Sequence, residues 1–286
     1  MKVNQLKYPV KIMANLFEVS VSGFYDWLHR KPSKRSLLEK TLAPTICAAH
    51  ERTRKVYGTR RLQKELFEEG ILVGRDRLGR LRHQLGIVCR QKRKFKVTTD
   101  SNHDQPIAPN LLDQQFEANC PNQVWVADIT YIPTQEGWLY LAGIKDLFTC
   151  EIVGYAMDES MTEELVSQAL FQAVLKAKPK VGLVHHSDRG SQYCAHGYRK
   201  SLATMGIQAS MSRRGNCYDN APMESFWGTL KNELVHHCRY ATRDEAMSTI
   251  REYIEIFYNR QRRHSRLGYV SPAVFLQTFN RLKPTG

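Results

Sequence analysis

The stretch "VWVADITYI", residues 124–132, decides the fold of this chain. Its side chains are mostly apolar or aromatic around a single carboxylate, Asp128, and such a run predicts a buried strand. A carboxylate inside a strand costs free energy unless it is paired or bound to a metal ion. Side chains alternate between the two faces of a strand, so Asp128 shares its face with Val126 and Thr130. We therefore expect the sheet to fix Asp128, and a metal ion rather than a salt bridge to offset its burial.

Five strand-like segments follow one another from about residue 120, with helical segments between the later ones. The strands are expected at 123–132, 138–148, 151–158, 181–187 and 207–212. Helices are expected after a Thr162 cap, over 191–205 and from about Asn220. The order βββαβαβα predicts an α/β fold with a ribonuclease-H-like core. This is a mixed five-stranded sheet with flanking helices, in which the fourth strand pairs with the first.

Two helix pairs are predicted before this sheet. Residues 10–31 resemble a helix-turn-helix with a cap at Ser20 or Ser22, although an ordinary helical hairpin fits the pattern equally well. Residues 59–86 form a clearer pair that turns at Gly70. The side chains expected to face inward are Leu62, Leu66, Phe67, Leu78, Leu81 and Leu85.

Two clusters of basic side chains are candidates for DNA contacts. The first is the outer face of the helix that begins at residue 75, with Arg75, Arg77, Arg80, Arg82 and His83. A basic second helix after a tight turn suits a DNA groove, although a solvated helix face is the alternative. The second cluster, in the helical segment 244–277, consists of Arg260, Arg262, Arg263 and Arg266. Residues 89–106 are basic and then polar, which indicates a linker.

Charge is segregated along the chain. Of the net charge of +14, residues 1–104 carry +13, residues 105–250 carry −4 and residues 251–286 carry +5. Basic arms around a nearly neutral core favour binding to nucleic acid over a charge that serves solubility alone. We predict four regions: a helix-turn-helix-like segment at 1–43, a basic helix-turn-helix region with a linker at 44–104, a catalytic core at 105–243 and a basic helical tail at 244–286.

Composition disfavours several classes of protein. The chain has no run of 18 apolar residues and no signal-peptide pattern, so we expect neither a membrane span nor secretion. Its seven cysteines are scattered singly without a C-x-x-C pair, which disfavours a disulfide framework or a zinc knuckle. We expect a protein of the reducing cytoplasm.

Three carboxylates occupy positions that the predicted sheet brings together: Asp128, Asp188 and Glu224. Asp188 ends the strand beside that of Asp128, and a helix crossing that end could carry Glu224 to the same point. Converging carboxylates repel one another and stay ionised together only around a cation. Hard oxygen ligands favour Mg²⁺ or Mn²⁺, and a pair of such ions can serve phosphodiester chemistry. Taken singly, each acid has an ordinary explanation in a salt bridge, a turn or solvation.

Four ordered blocks resemble the DDE transposases and retroviral integrases, and more narrowly the OrfB product of the IS-three family of insertion sequences. They are "WVADITYI", "HSDRGSQY", "SMSRRGNCYDNAPMESFWGTLKNE" and "YNRQRRHSRLGYVSPAVF". Residues 44–100 resemble that family's inserted helix-turn-helix. Between Asp188 and Glu224 lie 35 residues, the spacing of the family's D, D, 35, E motif. The resemblance implies a DNA transposase in which Asp128, Asp188 and Glu224 are catalytic and ligate two divalent ions.

The resemblance also implies DNA contacts around the helix that carries Glu224. Lys231 lies two helical turns further on and is expected to contact DNA near the cut, with a plain surface lysine as the alternative. Arg213 and Arg214, in the loop before the helix, are expected to bind phosphates. Residues 219–220 are expected to cap the helix.

The family's reaction and partners complete the set of expectations. One strand is cleaved at the end of the element, and the freed 3′-OH is joined to a second phosphodiester. The ends are first joined to each other, which gives a circle after replication, and the circle is later integrated. Expected partners are the double-stranded DNA of the terminal inverted repeats and of the target, further copies of the chain, and an upstream-frame protein fused by frameshifting. The expected location is the bacterial cytoplasm, at the nucleoid. The alternatives are a catalytically idle DNA-binding regulator and a ribonuclease-H-like nuclease.

Overall fold

The computed structural model describes residues 1–90, 107–213 and 217–282. They fall into two units, Met1–Val88 and Cys89–Gly286. Nearly all of the predicted linker lies outside the described residues, and so does Arg214.

Helices alone build the first unit. Its α-helices are α1 (Val10–Leu16), α2 (Val21–His29), α3 (Lys34–Arg52), α4 (Thr59–Glu68) and α5 (Arg75–Gln84). Ser20 caps α2, because its side chain accepts a hydrogen bond from the backbone N–H of Gly23 at 3.0 Å. The boundary predicted between residues 43 and 44 lies inside α3, which continues through Pro44. Residues 34–52 therefore form one continuous element, and the prediction of a division there is wrong.

The packing of α4 and α5 follows the predicted apolar faces only in part. Leu62, Leu66 and Leu78 are fully buried, and Leu81 nearly so. Phe67, expected to face inward, is 59% exposed. Successive helical residues are about 100° apart, so a side chain next to Leu66 points away from the core. Leu85 lies at the end of α5 and is also partly exposed.

A five-stranded mixed sheet forms the centre of the second unit. Its strands are β1 (Val124–Thr134), β2 (Gly137–Asp146), β3 (Ile152–Asp158), β4 (Val184–Ser187) and β5 (Gln208–Met211). They lie in the order β3-β2-β1-β4-β5. The first three are antiparallel, whereas β4 pairs in parallel with both β1 and β5. The predicted ribonuclease-H-like arrangement, with the fourth strand beside the first, is confirmed.

Helices cover both faces of the sheet. They are α6 (Glu163–Ala177), α7 (Ser191–Cys194), α8 (His196–Thr204), α9 (Ala221–Glu233), α10 (Arg243–Glu252) and α11 (Pro272–Leu282), with a π-helical segment at Tyr253–Gln261. Thr162 caps α6 by accepting a hydrogen bond from the backbone N–H of Leu165. The single helix expected over 191–205 is two helices that meet at Ala195.

Two glycines allow the helices to approach the sheet closely. A Cβ atom on Gly154 would lie 2.4 Å from the carbonyl oxygen of Ala169, so α6 packs directly on the backbone of β3. On the other face, a Cβ atom on Gly143 would lie 2.8 Å from the ring of Trp227 in α9. Trp125 packs in the α6 layer, whereas Asp128 faces α9. Strand β1 is thus covered on both sides.

The segment after α9 is bound to the sheet and to α9. Arg262 is 4% exposed and makes a bidentate ion pair with Glu233, with Nε and Nη2 at 2.8 and 2.7 Å from the carboxylate oxygens. Arg263 is also buried and donates from Nη1 to the carbonyl oxygen of Tyr269. Arg262 and Arg263 were predicted to contact DNA, and their burial contradicts that prediction. Across the described residues, no helix has the length and apolar character needed to cross a membrane.

Candidate active site

Three elements carry the three predicted acidic residues. Asp128 lies within β1, and Asp188 directly follows β4. The parallel register of β1 and β4 pairs Val126 with His186. Asp128 and Asp188 each lie two residues further along, so they occupy neighbouring positions. Glu224 lies in the first turn of α9, the helix that covers this face of β1. All three side chains are partly exposed, so the acids border solvent.

The acids share one electrostatic environment. Burial, together with the charges of Asp188 and Glu224, raises the pKa of Asp128 to about 8. Two hydrogen bonds oppose this rise: the backbone N–H of Ile129 donates to Oδ1 at 2.8 Å, and Trp227 Nε1 donates to Oδ2 at 2.9 Å. Burial also raises the pKa of Glu224. Ionising the acids together is therefore unfavourable in the protein alone.

The chemistry of these donors fits a divalent cation. Carboxylate oxygens are hard ligands, and a cation lowers the cost of keeping Asp128 ionised beside two other acids. One oxygen of Asp188 accepts a hydrogen bond from the backbone N–H of Gly190 at 2.9 Å, which orients that carboxylate. Within the described ranges, however, no three His, Cys, Asp or Glu side chains are gathered as closely as ligands of one metal ion. The three acids are close enough for their charges to interact, but in the described residues they are not as close together as the ligands of one bound metal ion.

Two side chains tether the start of α9 to the sheet. Asn220 donates from Nδ2 to the carbonyl oxygen of Ala127 at 2.9 Å, one residue before Asp128. Asn220 occupies the N-cap position of α9 as expected, but its side chain makes no capping hydrogen bond. Lys145, buried on β2, donates from Nζ to the carbonyl oxygen of Pro222 at 3.1 Å, and burial lowers its pKa to about 8. Lys145 was not predicted as a site residue, although its place inside the largely apolar run "AGIKDLF" marks it in the sequence.

Asp219 is a fully buried acceptor for two neighbouring segments. Its carboxylate accepts hydrogen bonds from Arg213, through the backbone N–H, Nε and Nη2, and from the side chains of Gln114 and Asn110, at 2.8 to 3.1 Å. The hydrogen bonds from Arg213 hold the pKa of Asp219 well below its usual value. Arg213 was predicted to bind phosphate. Its side chain is half exposed, but its guanidinium is engaged by Asp219.

We predict that Asp219→Asn lowers the free energy of unfolding by about 2 kcal/mol at pH 7, because several hydrogen bonds lose a charged acceptor. The lowered pKa means that this contribution is complete above the ordinary pKa of 3.8 and is lost progressively as the pH falls from there towards the lower pKa of the folded protein, so part of it is already lost at pH 3. Urea unfolding at pH 7 and pH 3 checks this, with the exposed Asp113→Asn as control. Equal losses for the two variants at pH 7 would contradict the assigned role of Asp219.

Lys231 lies close to the acids. Its side chain is half buried, with Nζ 4.8 Å from the ring centroid of Tyr131. Burial lowers the pKa of Lys231, and the charge of Asp128 raises it, so the two groups interact. His185 and His186 are buried nearby, and burial lowers the pKa of each to about 4. Both histidines are therefore neutral at pH 7.

The basic face predicted on α5 divides into two parts. Arg75, Arg80 and His83 are exposed. Arg77 is half buried with Nε 3.6 Å from Glu39, and Arg82 donates from Nη1 to the hydroxyl of Thr59 at 2.7 Å. The prediction of one solvent-facing row is therefore wrong for Arg77 and Arg82, which turn towards α3 and α4.

Three family models match parts of the chain. The model "Integrase core domain" matches residues 118–217, a second model of the same description matches 205–272, and an "HTH-like domain" matches 38–95. Two solved structures are similar at 15% identity. The simian T-cell lymphotropic virus intasome with PP2A regulatory subunit B56 gamma has a TM-score of 0.49, over 84% of this chain and 76% of that one. The HTLV-2 integrase catalytic core domain in complex with magnesium has a TM-score of 0.43, over 54% of this chain and 96% of that one.

Curated relatives match along nearly their whole lengths. The insertion element IS600 uncharacterized 31 kDa protein of Shigella sonnei is 63% identical, over 94% of this chain and 99% of the relative. The transposase for insertion sequence element IS904 of Lactococcus lactis is 43% identical, over 87% and 98%. Transposase InsF for insertion sequence IS3A of Escherichia coli is 37% identical, over 95% of each chain. With this similarity and an integrase-type core, the chain belongs to the IS3 family of insertion-sequence transposases.

Proposed function

We propose that this chain is a DNA transposase, a polynucleotidyl transferase that cleaves one strand at the ends of its insertion sequence and joins the freed ends to DNA. The observation that carries the proposal is the position of three acids on an integrase-type core: Asp128 on β1, Asp188 at the neighbouring position after β4, and Glu224 in the first turn of α9 over the same face. Carboxylates that border solvent can bind divalent cations. The positive charge of such cations assists displacement reactions at a phosphodiester.

The proposed cofactor is a pair of Mg²⁺ or Mn²⁺ ions held by Asp128, Asp188 and Glu224. When bound, these ions supply positive charge to the attacking and leaving oxygens of the phosphodiester. The protein contributes position: β1 holds Asp128 in the middle of the sheet, and α9 carries Glu224 with Lys231 two turns further on. Because Lys231 interacts with Asp128, we propose that its ammonium binds a DNA phosphate next to the cut.

The reaction proceeds in two displacements at phosphorus. In the first, a water oxygen bonds to phosphorus as the bond to the 3′ oxygen at the element's end breaks, and that oxygen leaves as a 3′-OH. In the second, this 3′ oxygen bonds to another phosphorus, and the bond between that phosphorus and its own 3′ oxygen breaks. No protein nucleophile takes part, so the side chains act by holding the reacting strands in line.

DNA binding and assembly are further parts of the proposal. Two ends must meet in one reaction, so several copies of the chain are expected to assemble on DNA, with an upstream-frame protein as a candidate fusion partner and the nucleoid as the place of action. The exposed face of α5, which carries Arg75 and Arg80, is the candidate groove-reading surface for the terminal repeats.

Replacing both Arg75 and Arg80 by alanine is expected to weaken binding to end DNA and to flatten its salt dependence. Each lost phosphate contact reduces the slope of log K against log salt by about 0.9, so the double variant should lose up to about 2. Fluorescence anisotropy at several salt concentrations measures both quantities. Arg82→Ala is the control, because its guanidinium bonds to Thr59. An unchanged slope in the double variant would remove α5 from the DNA interface.

The proposed function is tested with purified protein and linear DNA carrying both ends of its own element. We expect nicks at the element ends and joined products with Mg²⁺ or Mn²⁺, and neither with EDTA. Sequencing the junctions locates the joined phosphodiester. DNA binding without cleavage or joining, with the upstream-frame protein also supplied, would support the regulator instead. Cleavage confined to an RNA–DNA hybrid would indicate a ribonuclease-H-like nuclease.

A further inference from the structure

Asp128 accepts a hydrogen bond from a residue of α9, Trp227, as well as one from its own strand. Trp227 lies on α9, three residues after Glu224, and is almost completely buried. Its indole Nε1 donates to Oδ2 of Asp128 at 2.9 Å, while the backbone N–H of Ile129 donates to Oδ1 at 2.8 Å. Each carboxylate oxygen therefore has one fixed donor, and together the two donors define the plane of the carboxylate.

Strand β2, next to β1, provides the space that the indole ring of Trp227 occupies. Gly143 stands directly opposite Asp128 in the register of β1 and β2. Side chains at such opposite positions share one face and lie next to each other. A Cβ atom on Gly143 would lie 2.8 Å from Cη2 and 3.3 Å from Cζ2 of Trp227. The missing side chain at residue 143 thus leaves the space in which the indole reaches Asp128.

Packing alone does not account for tryptophan at this position. A phenylalanine would also bury an aromatic ring against β2, as the neighbouring Phe226 does against Tyr258 with ring centroids 4.7 Å apart. The feature that phenylalanine lacks is the N–H group, and a hydrogen bond to a carboxylate is about twice as strong as one between neutral groups.

We propose that Trp227 is a positioning residue for strand cleavage and joining, and that Gly143 is required to seat its ring. The inference rests on the proposed function, since Asp128 is there a ligand of the divalent ions. Residues that orient a metal ligand through a hydrogen bond typically change metal affinity or activity by about 10- to 100-fold when replaced. Trp227 acts on the reaction through Asp128 and has no contact with the reacting atoms in this assignment.

The first test is Trp227→Phe, which removes the N–H donor and keeps an aromatic ring. Trp125→Phe is the matched control, because it removes an indole hydrogen bond to Asn122, on the other face of β1. We expect kcat for joining to fall about 10- to 100-fold in the first variant only, with KM for DNA and Tm alike in the two variants. Trp227→His restores an N–H donor and should recover part of kcat despite poorer packing. Equal kcat values for Trp227→Phe and Trp125→Phe would overturn the proposal.

The second test uses Gly143→Ala, which intrudes on the ring and leaves the N–H in place. We expect this variant to lose kcat as well. Phenylalanine lacks the ring atoms that approach residue 143, so adding Gly143→Ala to Trp227→Phe should cause little further loss. Independent sites give additive effects, whereas coupled neighbours do not. Fully additive losses would contradict a shared action of Gly143 and Trp227 on Asp128.

A spectroscopic test does not depend on activity. The chain has four tryptophans and therefore four indole N–H signals in a ¹⁵N correlation spectrum, of which Trp227→Phe identifies one. We expect Mg²⁺ to shift that signal, Mn²⁺ to broaden it more than the signal of Trp138 on the same unit, and Asp128→Asn to move it. If the wild type neither cleaves nor joins DNA, the proposed function fails while these shifts still report the hydrogen bond. If it is active and the Trp227 signal responds to neither ion, the inference fails alone.

Discussion

Asp128→Asn is expected to reduce end cleavage and joining at least about a thousandfold, which corresponds to roughly 4 kcal/mol of transition-state stabilisation. An amide has nearly the shape of the carboxylate, but it lacks the charge that a divalent cation requires. The same change should remove a pH-dependent weakness of the metal-free fold. The pKa of Asp128 is raised to about 8, so the folded protein holds the proton more tightly than the unfolded chain does.

The sign of the pH effect follows from that raised pKa. The stabilising contribution of protonated Asp128 is complete below its ordinary pKa of 3.8 and is lost as the pH rises through about 8. In EDTA, wild-type stability should therefore fall across this range relative to Asp128→Asn, and Mg²⁺ should restore it in the wild type only. Chemical unfolding at a series of pH values, with and without Mg²⁺, measures the difference. Parallel profiles for the two proteins in EDTA would contradict the unfavourable burial of this charge.

Arg262→Met is expected to lower the free energy of unfolding by about 3 to 5 kcal/mol, because it removes the guanidinium that neutralises the buried carboxylate of Glu233. For a unit of this size, such a loss lowers Tm by roughly 10 °C. The exposed Arg260→Met is the matched control two residues away, and it should change Tm little. Differential scanning calorimetry measures both variants.

A second change separates the effect of the buried charge that is no longer neutralised from the effect of the lost packing. Glu233→Gln, added to Arg262→Met, removes the buried charge and still accepts the hydrogen bond that the Tyr253 hydroxyl now donates to Glu233. The double variant should recover a large part of the lost stability. A phosphate-binding Arg262 predicts the opposite pattern, with weaker DNA binding and an unchanged Tm. That result would reinstate Arg262 as a DNA contact.

The strand order was predictable because each strand carries its own local pattern. "VWVADITYI" is apolar on both faces, and β1 is indeed covered by α6 and α9. The neighbouring positions of Asp128 and Asp188 also followed from the sequence, since a strand that returns in parallel beside β1 places its carboxyl end there. The positions of these acids were thus predictable from local periodicity and one rule of connection.

The partners of buried polar side chains could not be predicted in this way. Trp227 bonds to a residue 99 positions earlier, and Arg262 to one 29 positions earlier. No short-range pattern encodes such pairs, so the sequence by itself indicates only a core position or a base-stacking ring for Trp227 and a basic cluster for Arg262. A basic residue next to the apolar run "YIEIFY" can face DNA or be buried beside an acid, and composition does not distinguish the two. Side-chain partners follow only from the three-dimensional fold.

The most direct test of one shared catalytic site compares joining activity in Asp128→Asn, Asp188→Asn, Glu224→Gln and the triple variant. Residues that act as a unit give non-additive losses, because removing one disables the others. We predict that each single variant falls to the same residual rate as the triple variant in single-turnover joining of end DNA with Mg²⁺. A single variant that joins DNA within about tenfold of the wild-type rate would contradict a site formed by these three acids.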